Sequence, residues 1–411
     1  MYFKNFCTKI VHLFFKIHFL ITILFSFNNL SYDKNYAKIN LGEIMRIKIF
    51  EEDIFMPEPV GKQPKYWFKS YNERFLFKLA TLKQDGTPIY NDVSECMAAD
   101  VAKYLDIPSA EYYLCEKNGE LGVITKDFLN NGFEGPKKEE FFDGVYLIHQ
   151  IDPGFKNKSL INPKTHQYYT VDLILRSVEK YGFRKEVLNM LIFDALIGNR
   201  DRNPSNYGII INHENNSVRF APLYDSCASL GISMVQHRLD KCFNTKGIVI
   251  NAKHLDTVVH HHIIGKVTLD RFLLYKDKRE WDKEEGKRIL SLIEQKRREL
   301  VPLLESDQIT KDYYHKELIK IGDQYRKFDI TTLQYQSLIS YLTLNYPFDI
   351  EEIMDKISNI DESVVNQLFD YYKDELPIER LNMAKQIVLK RAKWMSSYYY
   401  NNKDESRGKV L

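Results

Sequence analysis

The residues that could do chemistry crowd into one stretch, Gly198-Asn199-Arg200-Asp201-Arg202-Asn203-Pro204-Ser205-Asn206. Phosphoryl transfer needs a carboxylate beside the acceptor hydroxyl and oxygen ligands for a Mg²⁺ that bridges the phosphates. Asp201, four intervening residues and Asn206 give that spacing, and Arg200 precedes Asp201 as in the Arg-Asp of kinase loops. Further on, Pro222-Leu223-Tyr224-Asp225 supplies a second carboxylate at the end of a hairpin strand, where kinases put their main metal ligand. The Asp-Arg-Asn-Pro-Ser-Asn run is also a plain polar turn, because each of Asp, Asn, Pro and Ser favours turns. Helix, loop, hairpin and aspartate in succession from Phe193 to Leu230 make the more specific signal.

These residues need elements to position them. RKEVLNMLIFDALI, residues 184–197, is apolar nearly all round, which predicts a buried helix that Gly198 ends in the usual cap position. YGIIIN and SVRFAP predict a hairpin around His213-Glu214-Asn215-Asn216. Upstream, Trp67-Phe68 and the run Phe75–Leu79 read as strands on either side of Tyr71-Asn72-Glu73. Val93, Met97, Val101 and Leu105 recur at helical spacing, with Asp92 and Glu95 spaced as a capping box and Pro108 just past the end. EYYLC and ELGVIT flank a Lys-Asn-Gly turn and predict a second hairpin. GFEGPKKEE, residues 132–140, reads as a charged loop between two lobes, the pattern turns helical after about residue 165, and everything from about 270 onward reads as helix.

Single residues carry two readings each. Lys78 sits in an apolar run, FLFKLA, where a lysine is either a functional group or edge protection for its strand. Glu95 is either its ion-pair partner or part of the cap with Asp92. Lys65 is by default an exposed loop lysine, with phosphate contact as the alternative. His260-His261-His262 are adjacent and so do not share a face, which argues against a metal site there.

Composition sets limits. The 411 residues carry a net charge of only +2, with no basic stripe, which argues against direct nucleic-acid binding. The cysteines are scattered with no ligand spacing, as reduced thiols in a cytosolic protein are. Residues 10–27, IVHLFFKIHFLITILFSF, resemble a signal peptide or anchor, but His12, Lys16 and His18 interrupt the run. Residues 1–44 are therefore read as an apolar leader that either lies outside the translated protein or anchors it in a membrane. Gly42-Glu43 in AT-biased codons would read as a ribosome-binding sequence shortly before Met45, which favours a start there and a cytoplasmic protein.

FDALIGNRDRNPSNYGIII and FAPLYDSCASLG together resemble the core of the HipA-like kinases, whose signature is Asp-x-His-x-x-Asn followed by Pro-x-Tyr-Asp. The resemblance runs from about residue 60. It implies an α+β, two-lobed protein-kinase-like fold: a small β-rich N-lobe at 45–130 and a larger, mostly helical C-lobe at 131–411. It also implies that Asp201 is the catalytic base, that Asn206 and Asp225 hold Mg²⁺, and that Lys78 contacts the phosphates of ATP. Gly61-x-Gln63-x-Lys65 is similar to the family's nucleotide loop, Val93-Ser94-Glu95 to the start of its early helix, and the segment with Lys126 to its hinge. The family's histidine is Asn203 here, and the loop 57–65 holds no Ser or Thr for self-phosphorylation. The chain has no room for the extra N-terminal domain of longer members. The implied activity is phosphorylation of a protein Ser or Thr, with a small DNA-binding antitoxin-like partner. The rival readings are a small-molecule or lipid-type kinase and a non-catalytic kinase-fold module attached to a transcriptional regulator.

Overall fold

The computed structural model describes residues 46–49, 54–57, 64–70, 73–83, 86–131, 137–165, 167–234, 260–266, 291–292, 295–306, 308–310, 313–314, 317, 331–333 and 335–404. The apolar run 10–27, the start at Met45, Gly61 and Gln63 lie outside the described residues.

Strands β1 (Ile47–Ile49), β2 (Ile54–Pro57), β3 (Lys65–Ser70) and β4 (Glu73–Leu79) precede helix α1 (Asn91–Tyr104). With β5 (Tyr112–Lys117) and β6 (Glu120–Lys126) they form one six-stranded sheet, ordered β1-β5-β6-β4-β3-β2. The expected hairpin of β5 and β6 turns on Asn118 and Gly119, at φ 52° and 85°, the left-handed pair that a tight two-residue turn between twisted strands requires. β4 lies between β6 and β3, so Lys78 is in the middle of the sheet and the edge-protection reading falls. Side chains alternate along a strand. Phe77 therefore joins Phe68, Cys115 and Ile124 in a small core on one face, while Lys78 points to the other face, where α1 lies.

Helix α1 forms as its apolar spacing predicts, with Val93, Met97 and Val101 fully buried, but it is not capped as expected. It begins at Asn91 with no side-chain cap, and both members of the expected box are taken elsewhere. Asp92 accepts from Arg46 Nη1 at 2.9 Å and Glu95 from Lys78 at 2.6 Å. Buried charge pairing has overridden the local rule. Arg46 reaches on to Glu375 at 2.7 Å, tying α1 to the C-terminal helices.

Strand β7 (Glu139–Asp143) corrects the charged-loop expectation at its last two residues, because Glu139 and Glu140 pair with Asn212 and Ile211, while 132–136 lie outside the described residues. Helices α2 (Gly144–Ile151), α3 (Val171–Val178) and α4 (Arg184–Ile197) follow, then β8 (Gly208–Asn212) and β9 (Val218–Phe220), which with β7 make a three-stranded sheet. β10 (His260–Lys266) and β11 (Thr331–Leu333) form a short antiparallel pair, and β11 interrupts the region after about 270 that reads as all helix. The histidine triplet lies on β10. Helices α5 (Tyr335–Asn345), α6 (Glu351–Ser358), α7 (Glu362–Phe369) and α8 (Ile378–Asn402) close the chain. One large apolar core runs from α1 through α4 to α8. Among the described residues, no helix is long and apolar enough to cross a membrane.

Candidate active site

Helix α4 ends on Gly198, whose φ of 70° suits a residue without a Cβ, and Arg391 of α8 donates to Ala195 O at 2.7 Å, satisfying a terminal carbonyl. The chain then enters the loop 199–206. Asn199 is fully buried. Its amide donates to Asp194 at 2.8 Å and its Oδ1 accepts from Asp201 N–H at 3.1 Å. The loop closes on itself where Asn206 Nδ2 donates to Asp201 O at 2.7 Å. Asn203 Oδ1 caps the short 3₁₀ turn Pro204–Asn206 by accepting from Ser205 N–H at 2.9 Å, and its Nδ2 donates to the Asp201 carboxylate at 3.2 Å. The asparagine that replaces the family's histidine is therefore a neutral donor on Asp201.

Arg202 organises the whole loop and was given no role by sequence reasoning. It is the largest fully buried side chain among the described residues. Its Nε and Nη2 donate to the two oxygens of Asp194, each at 2.8 Å, and its Nη1 donates to Asn206 O at 2.6 Å and Tyr224 O at 2.9 Å. Nη2 also reaches Ser226 Oγ at 3.4 Å. One guanidinium thus fixes the loop against the segment that carries Asp225. The available signal was Asp194, an acid inside the apolar run Met190–Ile197, eight residues before an arginine. Burial alone would lower the Arg202 pKa, but the Asp194 carboxylate overrides this and raises it above its ordinary value.

Asp225 lies five residues past the end of β9, not at a strand end as the sequence suggests, and its φ of 54° is left-handed. The departure has a cause. Leu223 bridges to Ser109, donating to Pro108 O and accepting from Ala110 N–H, both at 2.8 Å, so the chain leaves its hairpin to pair with the segment after α1. Asp225 N–H then donates to Tyr112 Oη at 3.1 Å and Ser226 N–H to Glu95 Oε2 at 3.1 Å.

The two halves meet at Lys78. Its Nζ lies 2.6 Å from Glu95 Oε1 and 2.5 Å from Asp225 Oδ1. Burial works against a charged lysine here, but Glu95 and Asp225 outweigh it and hold the Lys78 pKa well above its ordinary value. Burial likewise opposes ionisation of Asp225, but the Lys78 ammonium brings that carboxyl down to about 2. Complete burial raises Glu95, with Lys78 pulling against it. Lys65 pairs across the strands with Lys78, at the start of β3 and not in a loop, and its charge also lowers Asp225. Lys126 is not brought here: it pairs with Glu73 at the exposed end of β6.

Cys227 was also missed. Its thiol donates to Asp225 Oδ1 at 3.6 Å, and burial pushes its pKa up, which makes it a poor nucleophile. Ligand atoms of Glu95, Asp225 and Cys227 lie within 4.8 Å of one another, but the cation in contact with both carboxylates is Lys78 itself. Asn206 and Asp225 carry oxygens of the kind a hard divalent cation could take. Asn206 spends its Nδ2 on Asp201 O, which leaves the carbonyl oxygen as its ligating end, and Asp225 is ionised.

No family model and no curated protein sequence matches the chain. The solved structure of the Helicobacter pylori proinflammatory kinase CtkA is similar over 88% of this chain and 98% of its own, with a TM-score of 0.55 and 14% identity. HipA of Shewanella oneidensis MR-1, solved with HipB and operator DNA, aligns over 85% of this chain and 67% of its own at a TM-score of 0.39 and 14% identity. The likeness to CtkA carries the comparison. The chain has the two-lobed α+β kinase fold that its resemblance to HipA-like kinases implied.

Proposed function

We propose that this protein is an ATP- and Mg²⁺-dependent kinase that phosphorylates a Ser or Thr hydroxyl of a protein. One observation carries the proposal: Lys78 from the sheet, Glu95 from α1 and Asp225 converge within hydrogen-bond distance, while Arg202 clasps the loop of Asp201 and Asn206 to the same segment. In this reading Lys78 contacts the phosphates, Glu95 holds Lys78 in place, and Asn206 with Asp225 would hold the metal. Lys65 contacts the nucleotide from β3, with Gly61 before it, and Lys126, paired with Glu73, takes no part. Bound there, Mg²⁺ supplies charge neutralisation at the transferring phosphoryl group. Asp201, oriented by Asn203, accepts the hydroxyl proton as the acceptor oxygen bonds to the γ-phosphorus and the bond from that phosphorus to the β,γ-bridging oxygen breaks, with ADP leaving. A small DNA-binding regulator is the expected partner, and co-purification from the native cell tests for it.

The test is labelled phosphate incorporation beside a nucleotide-binding assay. Asp201→Ala is expected to reduce transfer by about 10²–10⁴-fold, the usual worth of a general base, and to keep ATP binding, because its interaction develops with the acceptor. ATP with Mg²⁺ at about 100-fold its Kd is expected to stabilise the protein by about 2.7 kcal/mol, and Asp225→Ala to remove the Mg²⁺-dependent part. Wild-type transfer by Asp201→Ala refutes the assignment. Joint loss of folding and ATP binding would make Asp201 a structural turn residue.

A further inference from the structure

The segment between α2 and α3 presents a cationic surface beside the catalytic loop. From Pro153 to Val171 it contains Lys156, Lys158 and Lys164 and no Asp or Glu. With 56 acids in 411 residues, a stretch of this length would ordinarily hold about two or three. Some exposed lysines elsewhere are ion-paired, such as Lys185 with Glu352 and Lys138 with Glu214, and others, such as Lys390 and Lys393, have no ion pair among the described residues. None of these three has an acidic partner among the described residues, and all three are exposed.

The segment is a platform and not a loose linker. Phe155, Ile161 and Tyr169 are buried to 1% exposure or less. Lys156 N–H donates to Ile161 O at 2.9 Å, and Leu160 is held at a left-handed φ of 58°. Two contacts fix it to the catalytic loop: Tyr169 Oη donates to Arg202 O at 3.2 Å, and Asn157 Nδ2 to Ser205 Oγ at 3.4 Å. Lys156 and Lys158 flank that asparagine, one residue to each side of the contact with the loop that carries Asp201.

We propose that Lys156 and Lys158 dock an acidic segment of the protein acceptor, so that the hydroxyl phosphorylated at Asp201 stands near Asp or Glu residues. This rests on the kinase reading above. Positive charges spaced along a rigid stretch match several carboxylates on an extended peptide better than one small anion. Charge of this kind at an interface rim gives selectivity, association rate and salt dependence more than raw affinity.

The proposal is tested on the full chain with two labelled peptides, each with one central Ser, flanked by Glu in one and by Lys in the other. Fluorescence anisotropy reads binding, and phosphate transfer is read separately. The wild type is expected to prefer the Glu peptide, and K156E/K158E to weaken its binding by about tenfold, the worth of two partly exposed charge pairs reversed. Raising the salt should weaken the wild type and not the variant. K156Q/K158Q, with ATP binding and thermal stability unchanged, controls for folding. Equal binding of both peptides by the wild type, or an unchanged Glu-peptide affinity in K156E/K158E, overturns the proposal. So does a loss confined to competition by inorganic phosphate, which would assign the lysines to a small anion. Peptide preference without any Mg²⁺-dependent ATP binding would instead sink the kinase reading and leave the docking surface standing.

Discussion

Removing Arg202 or its partner tests whether that ion pair builds the site. Arg202 and Asp194 are both fully buried, and their fork-to-fork contact has two 2.8 Å bonds. Deleting one member of such a pair leaves the other charge stranded in the core, at about 3–5 kcal/mol. Arg202→Met also withdraws the donor from Asn206 O and Tyr224 O, so its loss should lie at the upper end of that range. Asp194→Leu should lie lower, because Arg202 keeps both carbonyls. With both charges replaced by apolar groups, the stranded-charge penalty disappears, and the two carbonyls and the Asn199 amide that donated to Asp194 remain unsatisfied, at about 1–3 kcal/mol each. The double variant should therefore cost no more than Arg202→Met alone, a coupling of about 3 kcal/mol or more. Urea unfolding of the four proteins in a double-mutant cycle measures this. Strict additivity, or single variants within about 1 kcal/mol of wild type, would refute the role given to the pair.

Three further outcomes are expected. Glu95→Gln leaves Lys78 with only Asp225 as a charged partner and should weaken ATP binding while leaving Mg²⁺ dependence in place, as read by titration calorimetry. Asp225, with a folded pKa of about 2, contributes stability that is complete above the ordinary carboxylate value of about 3.9 and is lost as the pH falls through about 2, so Asp225→Asn should flatten the acid limb of a circular-dichroism stability profile. Gly144→Ala would place a Cβ 2.3 Å from Tyr207 Cζ and 2.5 Å from Pro204 O, so it should destabilise the fold by several kcal/mol or shift the catalytic loop, and thermal unfolding with phosphate transfer will tell which.

The parts of this molecule legible in the sequence are those governed by periodicity and by fixed spacing. Helix 184–197 and its Gly198 cap, the hairpin over Lys-Asn-Gly and the hairpin into β9 all stand where the pattern put them, because each is decided within a dozen residues. The pairing of Lys78 with Glu95 had two readings, and the depth of both side chains selects the ion pair. What stayed hidden depends on partners distant in the chain. Nothing local announces that Asp92 answers to Arg46, that Glu139 completes a strand with Asn212, or that Leu223 abandons its hairpin for Pro108. Arg202 looked like one more polar member of a turn, because its burial is set by the elements that close over it.

The sheet has different neighbours on its two faces. Phe77 belongs to the small core with Phe68 and Ile124, whereas α1, which carries Glu95, belongs to the large core of the helices. The Lys78–Glu95 bond therefore links elements packed in two apolar clusters of unequal size. If the smaller cluster opens on its own, as weakly packed units do in native-state exchange, the nucleotide lysine departs while the catalytic loop stays folded. Amide exchange in β3 and β4 would then run faster than in α4, and nucleotide would slow it. In such a protein the binding energy of the nucleotide goes partly into completing the fold, and competence would be lost on warming before the helices melt.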